Sequence, residues 1–258
     1  MPLRVLCSLV LAGLSLTSVA RADALSDLRA TLGRLQPVQP LAATLSVTST
    51  VHDGDDASKT THAQLQVSLT SDGDGLHVGY SPALLRRSAQ EAAVNAKNKD
   101  APTPIEDLLG KLSPVSLQPM VDFAPVLLRQ IDGDKLASQR DEVHDGKPAH
   151  LLLFDVPLPA SASKQMTIKK YTGQVRVWLG ADGVPLEVQN VVLVKGRKLL
   201  ISIEVNTTTS YKLETMGSRL VVLSRRTEES HSVFGSGGSS VTDAVLTPLP
   251  AVPAGAAG

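Results

Sequence analysis

The stretch "MTIKKYTGQVRVWLGADGVPLEVQNVVLV", residues 166–194, decides the fold. Val175, Val177 and Leu179 recur at every second residue, and Val184, Leu186, Val188, Val192 and Val194 resume the pattern after a break. A period of two is that of a strand with one apolar face. The break contains Ala181-Asp182-Gly183, and Asp-Gly suits a tight hairpin because both turn positions tolerate positive φ. The stretch therefore reads as two antiparallel strands, with Trp178 on the face opposite Val177 and Leu179.

The same pattern extends outward. Downstream, "KGRK" leads into "LLISIEVNTTTSYKLE", where Leu199, Ile201, Ile203 and Val205 share a face, and "TMGS" leads into "RLVVLSRRTEES". "GSGGSS" reads as a flexible loop, "VTDAVLTPL" as a closing strand, and residues 247–258 as a loose Pro/Ala/Gly tail. Upstream, "KLASQRDEV" is polar enough for an edge strand and turns at "HDGK" into "PAHLLLFDVPL". Near the start, Leu41, Ala43, Leu45, Val47 and Val51 alternate with Thr and Ser. Ala63, Leu65, Val67 and Leu69, and then Leu76, Val78 and Tyr80, complete a meander with one apolar and one solvated face.

Two regions break this period. Leu25, Leu28, Leu32 and Leu35 recur at three to four residues, so a helix opens the sheet domain, capped by Asp23 and ended by Pro37. Residues 82–131 form a helical insert. Pro82 can open its first helix, "DAPTP" breaks it, and Thr103 with Glu106 restarts it as a capping box. "LQPMVDFAPVLLRQI", residues 117–131, suits short helices broken near Pro119 and Pro125. It falls short of the roughly 20 apolar residues that a bilayer span requires.

Residues 1–22 read as a signal peptide: Arg4, an apolar run from Val5 to Ala20, and then A-x-A sites that place cleavage after Ala22 or Ala24. The expected product is periplasmic and does not span a membrane. Cys7 is the only cysteine of the 258 residues and leaves with the signal, so no disulfide or cysteine-based metal site is expected. Charge is balanced, with 25 basic and 25 acidic residues, which gives no footprint for nucleic acid. Aromatic residues make up only 3 % of the chain, so stacking platforms are scarce.

Catalytic signatures do not emerge. The six histidines form neither H-x-H nor H-E-x-x-H; His62 and His77, which could meet across adjacent strands, read as surface residues, and no metal and no cofactor are expected. The Asp-Gly pairs at 53, 72, 132, 145 and 182 read as turns, because "DGDDASKTTHAQ" lacks the closing Glu of a calcium loop. "FGSGGSS" lacks the form and setting of a nucleophile elbow. An enzyme is the least supported class.

The order of helix, meander, helical insert and long antiparallel sheet resembles the lipoprotein-carrier family of Gram-negative bacteria, whose relatives include periplasmic regulators of envelope stress. "DALSDLRATLGRLQPVQPLAATLSVTS" is similar to its opening helix and first strand, and "GQVRVWLGADGVPLEVQ" to its strand–turn–strand with Trp178 and Pro185. The resemblance implies an α+β fold over residues 23–246: a single curved antiparallel half-barrel whose concave face is covered by helices, with acyl chains bound between them. The chain departs from the family in its few aromatics and its long insert.

Two functions remain open on this reading. In the first, the protein is a non-enzymatic carrier or sensor of a lipidated or otherwise hydrophobic ligand, such as a lipoprotein acyl chain. That ligand would lie beneath Leu127, Leu128 and Ile131, against Val175, Val177, Leu186, Val188, Ile201 and Ile203. In the second, the core is filled, and the protein is an envelope module that binds a protein partner.

Overall fold

The computed structural model describes residues 20–250 apart from 38, 55–58, 161–166, 199–200 and 235. Most of the expected signal peptide, including Cys7, and most of the expected tail lie outside the described residues. The elements run α1 (Ala20–Arg34), β1 (Leu41–Asp53), β2 (Thr60–Asp72), β3 (Gly75–Tyr80), α2 (Pro82–Lys97), α3 (Pro104–Leu109), α4 (Pro114–Val121) and α5 (Ala124–Gly133). They continue with β4 (Lys135–His144), β5 (Lys147–Asp155), β6 (Thr167–Leu179), β7 (Pro185–Lys198), β8 (Ile201–Met216), β9 (Arg219–Val233) and β10 (Ser236–Pro248).

All ten strands join one antiparallel sheet in the order β3-β2-β1-β10-β9-β8-β7-β6-β5-β4, which does not close on itself. This is the curved α+β architecture that the resemblance implies, built from the one-faced strands that the alternation implies. The two free edges are blunted. β3 is short, and β4 carries Lys135, Arg140, Asp141 and Glu142, features that discourage edge-to-edge pairing.

One face of the sheet, called face 1 below, packs against the helices. Leu45, Val47, Leu65, Val67, Val175, Val177 and Val188 lie on it, buried together with Leu28, Leu32, Leu117, Leu127 and Ile131. Trp178 lies on the other face, face 2, in a small cluster with Ala149, Leu151 and Leu186. Leu186 thus departs from the expected alignment with Val188. A bulge between Trp178 and Leu179 pairs Leu179 with Pro185 and Trp178 with Glu187, which leaves Leu186 as the extra residue of its strand. Period-two counting cannot register such an insertion.

Four other expectations are corrected. Asp23 lies inside α1, past the first position of the helix. Thr103 is the N-cap of α3 but makes no side-chain cap bond. Glu91 of α2 does that work instead, its Oε2 accepting from the amides of Ile105 (2.8 Å) and Glu106 (3.1 Å). Pro119 lies within α4, and the chain breaks afterwards at Asp122–Phe123. Most of the "GSGGSS" segment is not a loop: Ser236–Ser240 are the first residues of β10, paired with β9, and from Gly238 also with β1. A Cβ at Gly238 would stand 2.8 Å from the His52 carbonyl oxygen, so glycine permits this close approach of backbones. β10 runs on to Pro248.

Candidate functional site

The helical cover is assembled by the α4–α5 junction. Ser113 accepts from the Ser116 amide at 3.2 Å and caps α4. The Phe123 amide donates to the Leu220 carbonyl of β9 at 2.8 Å, and the Phe123 ring lies 4.9 Å from that of Tyr211. Tyr80 donates to the Leu112 carbonyl at 2.7 Å, fastening the α3–α4 link to β3. α5 then presents Leu127 and Ile131, four residues apart, to the sheet.

The space beneath α5 is filled. Leu127, Val175, Val177 and Val188 are 0 % exposed and Ile131 is 1 % exposed. A side chain lining a void large enough for water would show accessible surface, so these five form close-packed core. Leu128 is half-buried at its margin. Leu186 is on face 2. Ile201 and Ile203 lie on face 1 but belong to neither core cluster, and both are half-buried. The structure thus brings Leu127, Leu128, Ile131, Val175, Val177 and Val188 together, sets Leu186 on the opposite face and leaves Ile201 and Ile203 beyond the packed core.

Registers show where the packing stops. Ser49, Thr242, Thr227, Thr209 and Asn190 stand side by side across β1, β10, β9, β8 and β7. Ser49 and Thr242 lie 3.2 Å apart, Thr209 and Thr227 3.4 Å, and the Asn190 amide oxygen accepts from Gln130 of α5 at 3.2 Å. This polar row bounds the helix-covered half of face 1. Beyond it, Val51, Ser240, Glu229, Thr207 and Val192 form the next row, and none of them belongs to the buried core. Val51 is 42 % exposed. A cleft of about 180 Å³ opens beside this row between α3 and the sheet, lined by Ser49, Val51, Ala63, Asp107, Leu108 and Lys111 among others.

A second constellation lies on face 2. His144 and Trp178 stack with centroids 4.4 Å apart, and Trp178 donates to Glu142 at 2.6 Å. That hydrogen bond holds the Glu142 carboxyl below its ordinary pKa. His144 Nε2 lies 3.0 Å from Glu187, and Asp145 is bonded to Lys212 at 2.7 Å, which lowers the Asp145 pKa. His144, Asp145 and Glu187 bring three candidate ligand atoms within 4.8 Å of one another. No sequence motif announces this group, since the β7 hairpin brings Glu187 to the β4–β5 turn. Its carboxylates already have protein partners, and it reads as a polar clasp over Trp178.

Among the described residues no helix is long and apolar enough to cross a membrane. No family model matches the chain, and no curated protein matches it. Among solved structures, a crystal structure of MucB in complex with MucA(peri) aligns over 87 % of this chain and 93 % of that one, with 11 % identity and a TM-score of 0.17. A likeness of that size carries no argument.

Proposed function

We propose that the protein is a non-catalytic, extracytoplasmic binding module that holds an extended segment of a partner protein along the uncovered half of face 1. The observation that carries this reading is the run Val191-Val192-Leu193-Val194 in β7. All four residues are half-buried, although a continuous apolar run is characteristic of strands covered on both faces. Val192 and Val194 stand on face 1 beyond the polar row, where Thr207 and Val205 flank them on β8. A partner laid there would cover apolar surface at a site already edged with hydroxyls for hydrogen bonding. The filled core beneath α5 favours this over carriage of an acyl chain under that helix.

A photo-crosslinking residue placed at Val192 or Thr207 tests the proposal in cells that export the protein. Discrete adducts are expected from these positions and not from Thr208 or Asn206, which face the other way. Adducts from neither face, or equally from both, would overturn it.

A second reading keeps the lipidated ligand and moves its place. The cleft between α3 and the β1–β2 hairpin combines Val51, Ala63 and Leu108 with Ser49, Thr61, Thr103, Asp107 and Lys111, a small slot of mixed polarity with a cation among its lining residues. Native mass spectrometry of exported protein decides this point: a bound acyl species, lost on Ala63→Trp, is the expected signature.

A further inference from the structure

The far end of the sheet, where β6, β7, β8 and β9 run past the core, has a two-sided character that partner binding does not require. Cross-strand pairing places Ile168 opposite Gly196, Val194 opposite Val205, and Ile203 opposite both Gly196 and Val233, all on face 1. Ile168, Val194, Ile203 and Val205 are half-buried, and Val233 is 38 % exposed. Phe234, next in the chain, is 70 % exposed and holds a positive φ of 58°, uncommon for a residue that is not glycine. Its amide reaches the Ser202 carbonyl of β8 at 3.4 Å, so the ring belongs to the same end of the sheet.

The β6–β7 corner of this end is basic. Lys169, Lys170, Lys195, Arg197 and Lys198 cluster there; Glu204 pairs with Lys195 at 2.7 Å, and the further carboxylates of this end, Glu228 and Glu229 of β9 and Asp53 of β1, lie across the sheet from the cluster. The whole chain is formally neutral, so this corner is a concentration of positive charge and not a reflection of composition. Lys170, Lys195 and Arg197 project from face 2, opposite the aliphatic row. Lysine and arginine on an apolar element can lay their stems along hydrocarbon while their charges remain in the polar layer.

We propose that this end of the sheet docks on an anionic bilayer surface. Phe234 with Ile168, Ile203 and Val233 enters the boundary between headgroups and acyl chains, Val194 and Val205 being left to the partner-binding surface, and the β6–β7 cations meet lipid phosphates. A surface with apolar side chains and cations on opposite faces of one thin element matches the layering of a membrane interface. An acidic protein would match the cations and leave the exposed phenylalanine and valines unaccounted for. Docking places the partner-binding half of face 1 close to the membrane but does not depend on that function.

The test uses the exported, processed protein and flotation with vesicles. One set contains phosphatidylcholine alone, and the other contains phosphatidylcholine and phosphatidylglycerol mixed two to one. Binding is expected only to the anionic vesicles, and it should fall as salt is raised. Lys170→Glu with Arg197→Glu should weaken it at least about tenfold, because each cation near an anionic surface contributes to attraction. Phe234→Ser should weaken it as well. Arg86→Glu with Arg87→Glu, an equal change of charge on the exposed side of α2, should leave it unchanged. Circular dichroism checks each variant, and Lys170→Gln with Arg197→Gln replaces the reversal if that pair does not fold. Absence of binding by the parent protein, equal binding to both vesicle types, or equal loss from the α2 and sheet-end variants would each overturn the proposal. Binding to polyglutamate without binding to vesicles would overturn it too, and would assign the surface to an acidic protein.

Discussion

Asp122 sits between α4 and α5 with its Oδ1 buried and without a hydrogen-bond partner. Burial raises its pKa, and the guanidinium groups of Arg219 and Arg129 oppose that rise without cancelling it. Arg219 is itself 4 % exposed and is held by the Gln39 carbonyl and the Ser71 hydroxyl. Because the folded pKa lies above the unfolded one, near 3.9, the carboxyl does not penalise the fold below that value. Stability is lost as pH rises through the folded pKa, and the penalty is constant thereafter. Asp122→Asn should therefore stabilise the protein at neutral pH by about 1 kcal/mol, and the gain should vanish below about pH 3. Urea unfolding of both proteins across that range checks the sign. A second comparison concerns the filled core. Leu127→Ala should cost about 2–5 kcal/mol, and Leu128→Ala, at the half-buried margin, clearly less. Equal costs would mean that the space under α5 is not packed as described.

At the scale of elements, α3 shows how a short helix is held by its neighbour. Six residues cannot sustain a helix alone, and the first-turn amides of Ile105 and Glu106 are satisfied by Glu91 of α2. Glu91→Ala should lower stability by about 0.5–2 kcal/mol, the range for losing an N-cap. Hydrogen exchange at Ile105 and Glu106 should accelerate, while the sheet amides remain protected. The sequence could not disclose this cap, because Glu91 lies 14 residues before Ile105, and the local Thr103–Glu106 spacing offered a plausible substitute. The strands were legible for the opposite reason. A strand with one buried face writes its burial directly as alternation, as at Leu41–Val47 and Leu65–Leu69, where every second residue is buried. Legibility failed where spacing and orientation decouple. The bulge turned Leu186 to face 2, and the glycines of β10 concealed a strand whose backbone crowds its neighbours. The candidate site was the least legible part. Its position depends on where the helices stop, at the row from Ser49 to Asn190, and those residues come from five strands spread over most of the chain.

For the whole molecule, β10 is the strand on which cooperativity rests. It lies between β1 and β9, pairing Ala43 with Pro248 at one end and Asp53 with Gly238 at the other, so within the sheet it is the strand that joins segments about 200 positions apart. Without β10 the sheet divides into the β3-β2-β1 meander and the β9-to-β4 sheet, each with a new edge of unpaired backbone groups. The meander side would retain Leu45, Val47, Leu65 and Val67 on an apolar face that now shares its core with α1 and the insert helices, and three strands are a marginal unit by themselves. A chain ending at Val233 should therefore lose its cooperative unfolding transition and aggregate. A chain ending at Leu249 keeps the last tie of this seam, the Leu249 amide donating to the Ala42 carbonyl at 2.8 Å, and should melt within a few degrees of the parent. Differential scanning calorimetry of the two truncations separates the cases. A sharp transition in the shorter chain would mean that the meander and the long sheet are separate folding units, and that the single sheet is held together by the helices alone.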